Sequence, residues 1–433
     1  MSRWSTPDDD DDAPKATKAK AVPRRSALKS SGAVAGGVLG LAVAGLGYRA
    51  WQTKAYTDFA AGEAFAPYRL WQEELAKPAV TARPPADPSA PVPQLVGDPR
   101  NIVAAAILAS SPHNTQPWTF KIAGNLIDVL ADRSRHLGVL DPRDREFTIG
   151  LGCAIENLVV GARGLGFSPL VNLLPEGPQG ATVARLTIYD AAKERSPLVD
   201  ALARRRTNRG PYLKGRAVDT KILDALERLA TSPGARLVWL DAASDAGRRF
   251  SEATLKATQD FVADAELTAA SDRWFRYSTA DIERHRDGIT LAASGISPFK
   301  ARLALMVPKE LIGDAHVQWI AMTRDMHLAT APRFGLIVVP SLDDRAALLE
   351  AGRLWQRLHL QATVMGLAMH PLNQTMEMAD RDHALGRASA AGTALQSLSA
   401  LSSNAVAFGF RMGFSNFQPN PSPRRALGSF LSA

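Results

Sequence analysis

Two stretches of this chain carry side chains suited to gripping a flat, anionic small molecule. The first reads Ser110-Ser111-Pro112-His113-Asn114-Thr115-Gln116-Pro117-Trp118. It follows a helical run at 102–109 and precedes a strand-like run at 119–122, so its amides sit at a helix-to-strand corner. Asn114 and Gln116 each offer a donor and an acceptor, which suits the edge of a planar heterocycle, and His113 stands beside them. A surface turn around a buried Trp would use the same residue types. The second stretch reads Arg204-Arg205-Arg206-Thr207-Asn208-Arg209-Gly210-Pro211-Tyr212 and closes a helix that starts near Ser196. Arg205, Thr207 and Arg209 alternate, and two guanidinium forks flanking a hydroxyl can converge on one phosphate. A solvated charged face is the other reading.

Composition narrows the field. The 433 residues are 46% hydrophobic and 22% charged, enough to bury a large core and to build two domains. A net charge of +8 is modest for this length, and the arginines are mostly dispersed, which argues against nucleic-acid binding. The single cysteine, Cys153, excludes an intrachain disulfide framework, and its apolar setting reads as a structural thiol. Eight histidines without ligand spacing point to no metal site. No Ser-His-Asp set or carboxylate pair stands out, so no catalytic acid, base or nucleophile is singled out.

The nonapeptide at 110–118 resembles the flavin-contacting segment of the nitroreductase superfamily, in the wording of its Acg-like branch. The resemblance extends over most of residues 98–430. It implies that His113, Asn114 and Gln116 contact FMN, and that Arg205, Thr207 and Arg209 match the Arg-x-Ser-x-Arg/Lys element that holds the FMN phosphate, with Thr in place of Ser. Pro423-Arg424-Arg425-Ala426-Leu427 resembles the family's closing basic segment, which adds Arg424 and Arg425; an exposed Arg pair in a tail is the alternative. Pro371-Leu372-Asn373-Gln374 occupies the place of the loop along the flavin ring, which adds Pro371, Asn373 and Gln374. Family members that reduce nitroaromatics often have an acidic residue and Gly there, so the neutral amides put substrate choice and turnover in question. The implied activity is FMN-dependent reduction of an electron-poor acceptor, a nitro compound or quinone, with NAD(P)H or another donor. The implied alternative is an FMN-binding or storage protein with little turnover.

Ahead of this region lies a polar leader with Asp8–Asp12, then Pro23-Arg24-Arg25-Ser26-Ala27-Leu28-Lys29 and an uncharged run to Tyr48. This resembles a bacterial twin-arginine signal, read by the twin-arginine translocase. It implies export to the periplasm, or anchoring to the inner membrane through residues 30–48, which are long enough to span a bilayer. Ala42-Val43-Ala44 offers a cleavage site.

The elements that must position the candidate residues follow from periodicity. Helical spacing occurs at 56–75, 101–109, 147–164, 218–230, 244–267, 344–366 and 391–404, and strand-like runs at 126–130, 183–189, 237–240 and 336–339. Without a Rossmann glycine signature this predicts an α+β fold, with a doubly wound sheet as the second choice. Gly164-Leu165-Gly166-Phe167-Ser168-Pro169-Leu170 lines up with Gly366-Leu367-Ala368-Met369-His370-Pro371-Leu372, each closing a helix and opening a strand. The reading is a nitroreductase-like fold of two fused related halves forming an intramolecular pseudo-dimer. Its divisions are 1–50 (leader and signal), 51–97 (helix and Pro-rich linker), 98–192 (first half) and 193–433 (second half). An insert near 264–308 is either a lid or a surface excursion.

Overall fold

The computed structural model describes residues 62–78, 95, 97–306, 315–398 and 404–432, together with residue 48. The chain divides into two compact units, 1–49 and 50–433. The described helices and strands with assigned bounds all belong to the second unit. The twin-arginine segment, the apolar run up to residue 47 and most of the Pro-rich linker lie outside the described residues. Among the described residues no helix is long and apolar enough to cross a membrane.

Two four-stranded antiparallel sheets frame the second unit. The first contains β1 (Trp118–Ala123), β2 (Leu126–Ala131), β3 (Phe167–Leu173) and β4 (Thr182–Asp190), in the order β1-β2-β4-β3. Further along come β5 (Arg236–Asp241), the short parallel pair β6 (Phe275–Arg276) and β7 (Ile289–Thr290), then β8 (Arg333–Val339), β9 (Ala368–Pro371) and β10 (Ala405–Gly413). The second sheet runs β5-β8-β10-β9. This is the α+β class read from the sequence.

Each sheet has one long helix between its second and third strands, Arg145–Leu165 in the first and Arg345–Val364 in the second. Their N-termini are capped by carboxylates. Asp141 accepts from the amides of Glu146 (3.0 Å) and Phe147 (2.7 Å), and Asp344 accepts from that of Ala347 (3.1 Å). Each stops at a glycine in the left-handed region, Gly166 (φ 92°) and Gly366 (φ 72°), where a side chain would be strained. The equivalence is therefore Gly166 with Gly366, not Gly164 with Gly366 as the sequence alignment has it. In the same register Asp144, Arg145 and Gly152 match Asp344, Arg345 and Gly352. The two helices cross backbone to backbone. A Cβ on Gly152 would stand 2.2 Å from the Leu349 carbonyl oxygen, and one on Gly352 would stand 2.0 Å from that of Ile149. One apolar core runs from the first sheet through this helix pair to the second, including Phe120, Val129, Leu158, Trp355, Ile337 and Phe410.

A buried amide chain ties the helix pair to the corner before β1. Ser110 Oγ donates to Gln356 Oε1 (2.6 Å), Gln356 Nε2 to Asn157 Oδ1 (2.8 Å), and Asn157 Nδ2 to the Ala105 carbonyl (2.9 Å). Near the N-terminal end of the described region, helix Ala66–Ala76 docks through Phe65, Tyr68 and the fully buried Trp71 onto a second apolar cluster with Ala105, Leu108 and Leu202. The strand β10 has no alternation and is buried on both faces, as a central strand must be.

Candidate functional site

A basic cleft forms where four separate parts of the chain meet. Its lining takes in Tyr68, Ser110, Ser111 and Asn114 of the corner, Arg205, Arg206, Thr207 and Arg209 of the arginine run, Gly288, Ile289 and Ala293 from the insert, and Ser422 with Arg424. The space among these residues, open solvent included, is about 460 Å³.

The corner is built from an unusual backbone. His113, Asn114 and Gln116 have φ of 47°, 55° and 54°, the left-handed region for three non-glycine residues out of four. Such conformations cost about 1–3 kcal/mol each and persist only where the surroundings over-determine them. Here the amides do so. Asn114 Nδ2 donates to the carbonyls of Gly288 (3.2 Å) and Pro423 (2.9 Å), and its Oδ1 accepts from the Arg424 guanidinium. Gln116 Nε2 donates to the Arg286 carbonyl (2.9 Å), and its Oε1 accepts from the Arg425 amide (3.0 Å). Both side chains are thus fully engaged with the insert and the C-terminal segment. They staple these elements across the corner instead of presenting free amides to a heterocycle. His113 pairs with Ser271 Oγ (3.3 Å) of the insert, and burial, with a smaller contribution from Arg209, pulls its pKa to about 4.

Positive charge gathers in the cleft without a counter-ion. Arg205 donates to the Leu108 carbonyl (3.2 Å), and Arg424 to those of Leu108 and Ala109 (3.2 Å each). These carbonyls lie just past helix Arg100–Ala106, where free backbone acceptors orient the guanidiniums without neutralising them. Arg206 donates to the carbonyls of Ala203 and Arg205, and Arg209 to that of Ala293 (3.1 Å). Among the described residues none of the four is in an ion pair. Arg205 Nε and Arg424 Nε are buried without any partner. Burial, then Arg424, lowers the pKa of Arg205 to about 10; burial, then Arg411, does the same for Arg209. Both remain cationic at neutral pH. A buried cluster of guanidiniums is costly unless an anion joins it, so the donor set fits a phosphate.

The run that carries Arg205–Arg209 is itself clamped. Thr207 forms an isolated bridge with Met369, and the Asn208 amide donates to the Met369 carbonyl (2.9 Å). Arg411, fully buried in β10, donates to the carbonyls of Asn208 (3.3 Å) and Gly210 (2.9 Å) and to His370 Nδ1 (3.1 Å). The insert is held by Asp287, which accepts from Arg276 (2.6 Å) and from Arg135.

Of the residues proposed from sequence, Asn114, Arg205, Thr207, Arg209 and Arg424 line the cleft together. Arg425 does not; its guanidinium lies over the Phe430 ring (4.3 Å) and 3.8 Å from Asp132. Pro371, Asn373 and Gln374 do not line it either. Pro371 pairs with Phe410, Asn373 Oδ1 accepts from the Gly409 amide (3.0 Å), and Gln374 begins the helix Gln374–Ala384. The lining residues outside the set read from sequence are Tyr68, Ser110, Ser111, Arg206, Gly288, Ile289, Ala293 and Ser422, whereas His113 and Gln116 are not among the lining. Arg206 lies within the run already singled out, and Tyr68 carries no local signal.

No protein-family model matches the chain. It is similar to a Mycobacterium tuberculosis protein provisionally named NAD(P)H nitroreductase Rv3131, 26% identical over 284 residues, 65% of this chain and 77% of that one. A second relative from that organism, provisionally named NAD(P)H nitroreductase acg, is 25% identical over 298 residues, 65% of this chain and 82% of its own. Among solved structures, the FMN and NADPH-dependent nitroreductase NfnB from a Sphigopyxis strain aligns with 55% of this chain and 98% of its own, at 17% identity and a TM-score of 0.34. A nitroreductase with bound FMN from Desulfitobacterium hafniense aligns with 54% and 95%, at 13% identity and a TM-score of 0.31.

Proposed function

We propose that this protein binds FMN in the basic cleft and acts as an oxidoreductase of nitroreductase type. It would draw electrons from a nicotinamide donor and pass them to an electron-poor acceptor, a nitro compound or quinone. The observation that carries the reading is the carboxylate-free cluster of Arg205, Arg206, Arg209 and Arg424 around Thr207. The two relatives named as NAD(P)H nitroreductases, similar over 65% of the chain, support it.

FMN bound there would supply the redox chemistry by taking up and releasing an electron pair. The chain's own contribution is binding and orientation. Arg205, Arg424 and the Thr207 hydroxyl would donate to the phosphate, using the Nε groups that lack a protein partner. Asn114 and Gln116 keep the insert turn and the C-terminal segment closed over the corner, and so hold Arg424 in place. His113, kept neutral at pH 7, adds no further positive charge.

The test is anaerobic addition of NADPH to the purified full chain. Bleaching of a flavin band near about 450 nm supports the enzyme. The stapled insert favours a second reading, flavin storage, in which dithionite bleaches the protein and NADPH does not. A colourless protein from flavin-replete cells overturns both.

We also propose export by the twin-arginine route, on the strength of Arg24 and Arg25 ahead of the uncharged run. Arg24→Lys with Arg25→Lys should retain folded precursor in the cytoplasm, since a receptor and not charge alone reads the pair; normal delivery of the double variant would overturn the proposal.

A further inference from the structure

Tyr68 belongs to none of the motifs, yet it stands at the most basic end of the cleft. It is 8% exposed, and its ring faces two guanidiniums, with Arg206 Cζ 4.7 Å and Arg424 Cζ 5.7 Å from the ring centre. Its hydroxyl donates to the Ser422 carbonyl (3.1 Å). The start of its helix is pinned twice more. The Arg424 amide donates to the Ala64 carbonyl (2.7 Å), and the Ala64 amide to Glu283 of the insert (3.1 Å). Fully buried Trp71, one turn further on, fixes the helix to the body. Burial pushes the phenol up, but Arg424, Arg206 and Arg205 together override it and hold it below its ordinary value. All three of those arginines therefore act on this ring. Arg209 acts instead on His113 and Tyr212.

A phosphate held by Arg205, Arg206 and Arg424 would share the cleft with this buried ring, which lies 4.7 Å from Arg206 Cζ and 5.7 Å from Arg424 Cζ. A monoester ends at that point and presents three acceptor oxygens with close to two negative charges. A diester carries one charge and must continue through a second substituent, which this ring would obstruct. We infer that Tyr68 is a specificity-determining residue, the wall that restricts this cleft to a terminal phosphate monoester and so admits FMN and rejects FAD. The inference rests on the proposed flavin site, but the wall can be tested without it.

The experiment compares FMN and FAD dissociation constants, by quenching of flavin fluorescence, for the full chain and for Tyr68→Phe, Tyr68→Ala and Tyr68→Leu. The wild type should prefer FMN by about a hundredfold or more, and Tyr68→Phe, which keeps the ring, should retain that preference. Tyr68→Ala and Tyr68→Leu should lose about tenfold of it or more, chiefly by gaining FAD. Tyr68→Leu keeps the apolar packing of the helix should the alanine variant fail to fold. An unchanged FMN-to-FAD ratio in a folded small variant overturns the wall. If the wild type binds neither flavin, the flavin reading fails. The wall is then read from thermal shifts with phenyl phosphate against diphenyl phosphate. A monoester preference present in the wild type and lost in Tyr68→Leu supports it, and equal shifts for both esters overturn it.

Discussion

The two sheets of this protein share one strand order and differ in what joins the strands. In the first, β1 and β2 are linked by the tight turn Gly124-Asn125. In the second, the equivalent pair β5 and β8 is separated by residues 242–332, which supply the turn Gly288–Ala293 to the cleft. The corners before the first strands differ as well. That before β1 has three left-handed non-glycine residues and the stapling amides, whereas that before β5 has Thr231-Ser232-Pro233-Gly234. Ahead of helix Thr220–Glu227 stands the arginine run 204–209; ahead of helix Arg100–Ala106 stands Asp98, paired at the surface with the helix's first residue, Arg100. A shared framework therefore carries two unlike sets of loops, and the basic cleft forms where the loops are elaborate. On this pattern we propose that the chain is two fused related halves carrying one FMN site between them.

The framework is the place to test the likeness first. Gly152→Ala and Gly352→Ala should each cost roughly 3 kcal/mol in urea denaturation, because the new Cβ meets backbone that cannot move aside. A gap of more than about 1 kcal/mol between the two would break the equivalence of the helices. Next come the loops. Arg205→Ala and Arg424→Ala should each weaken FMN by about tenfold or more, read by fluorescence quenching. Native mass spectrometry at saturation should give one FMN per chain, and a second bound FMN would mean that the plain corner also makes a site.

A pH titration sharpens the contrast at the corner. His113 is held near 4 in the folded chain against an ordinary 6.5, so the unfolded state binds more protons between these values. Stability should therefore fall as pH drops from about 6.5 toward 4. His113→Gln should lose less over that window, as measured by urea midpoints, and an identical slope would show that the ring contributes nothing there. The smallest effect is expected at Arg425, whose side chain lies outside the cleft. Arg425→Ala should change FMN affinity by about twofold or less, the range of an ordinary surface substitution.

Much of this was legible in the residues. Helix Arg345–Val364 and the strands β2, β4, β5 and β8 announce themselves by periodicity, and Arg205, Thr207 and Arg209 by charge and spacing. The roles of Asn114 and Gln116 were harder to read, because an amide suited to a heterocycle is equally suited to backbone, and only the fold shows which partner arrives. Strand β10 hid because burial on both faces removes alternation and its glycines mimic a loop. Pro371, Asn373 and Gln374 were placed by analogy of position, and nothing in those residues reveals that they pair with β10 and open a helix outside the cleft lining. Tyr68 was invisible for a simpler reason: its partners Arg206 and Arg424 lie far along the chain.

The crossing at Gly152 and Gly352 has a consequence for how such a molecule can change. In a symmetric pair of identical chains every substitution appears twice, once on each side of the axis. Where both helices belong to one polypeptide, each side mutates alone. A larger side chain on one helix can be matched by a smaller one on its partner, a correction that symmetry would forbid. The tether also makes the pairing independent of dilution, so neither helix has to find its mate from solution. Freed from duplication, one flank can devote its loops to binding while the other keeps only the scaffold.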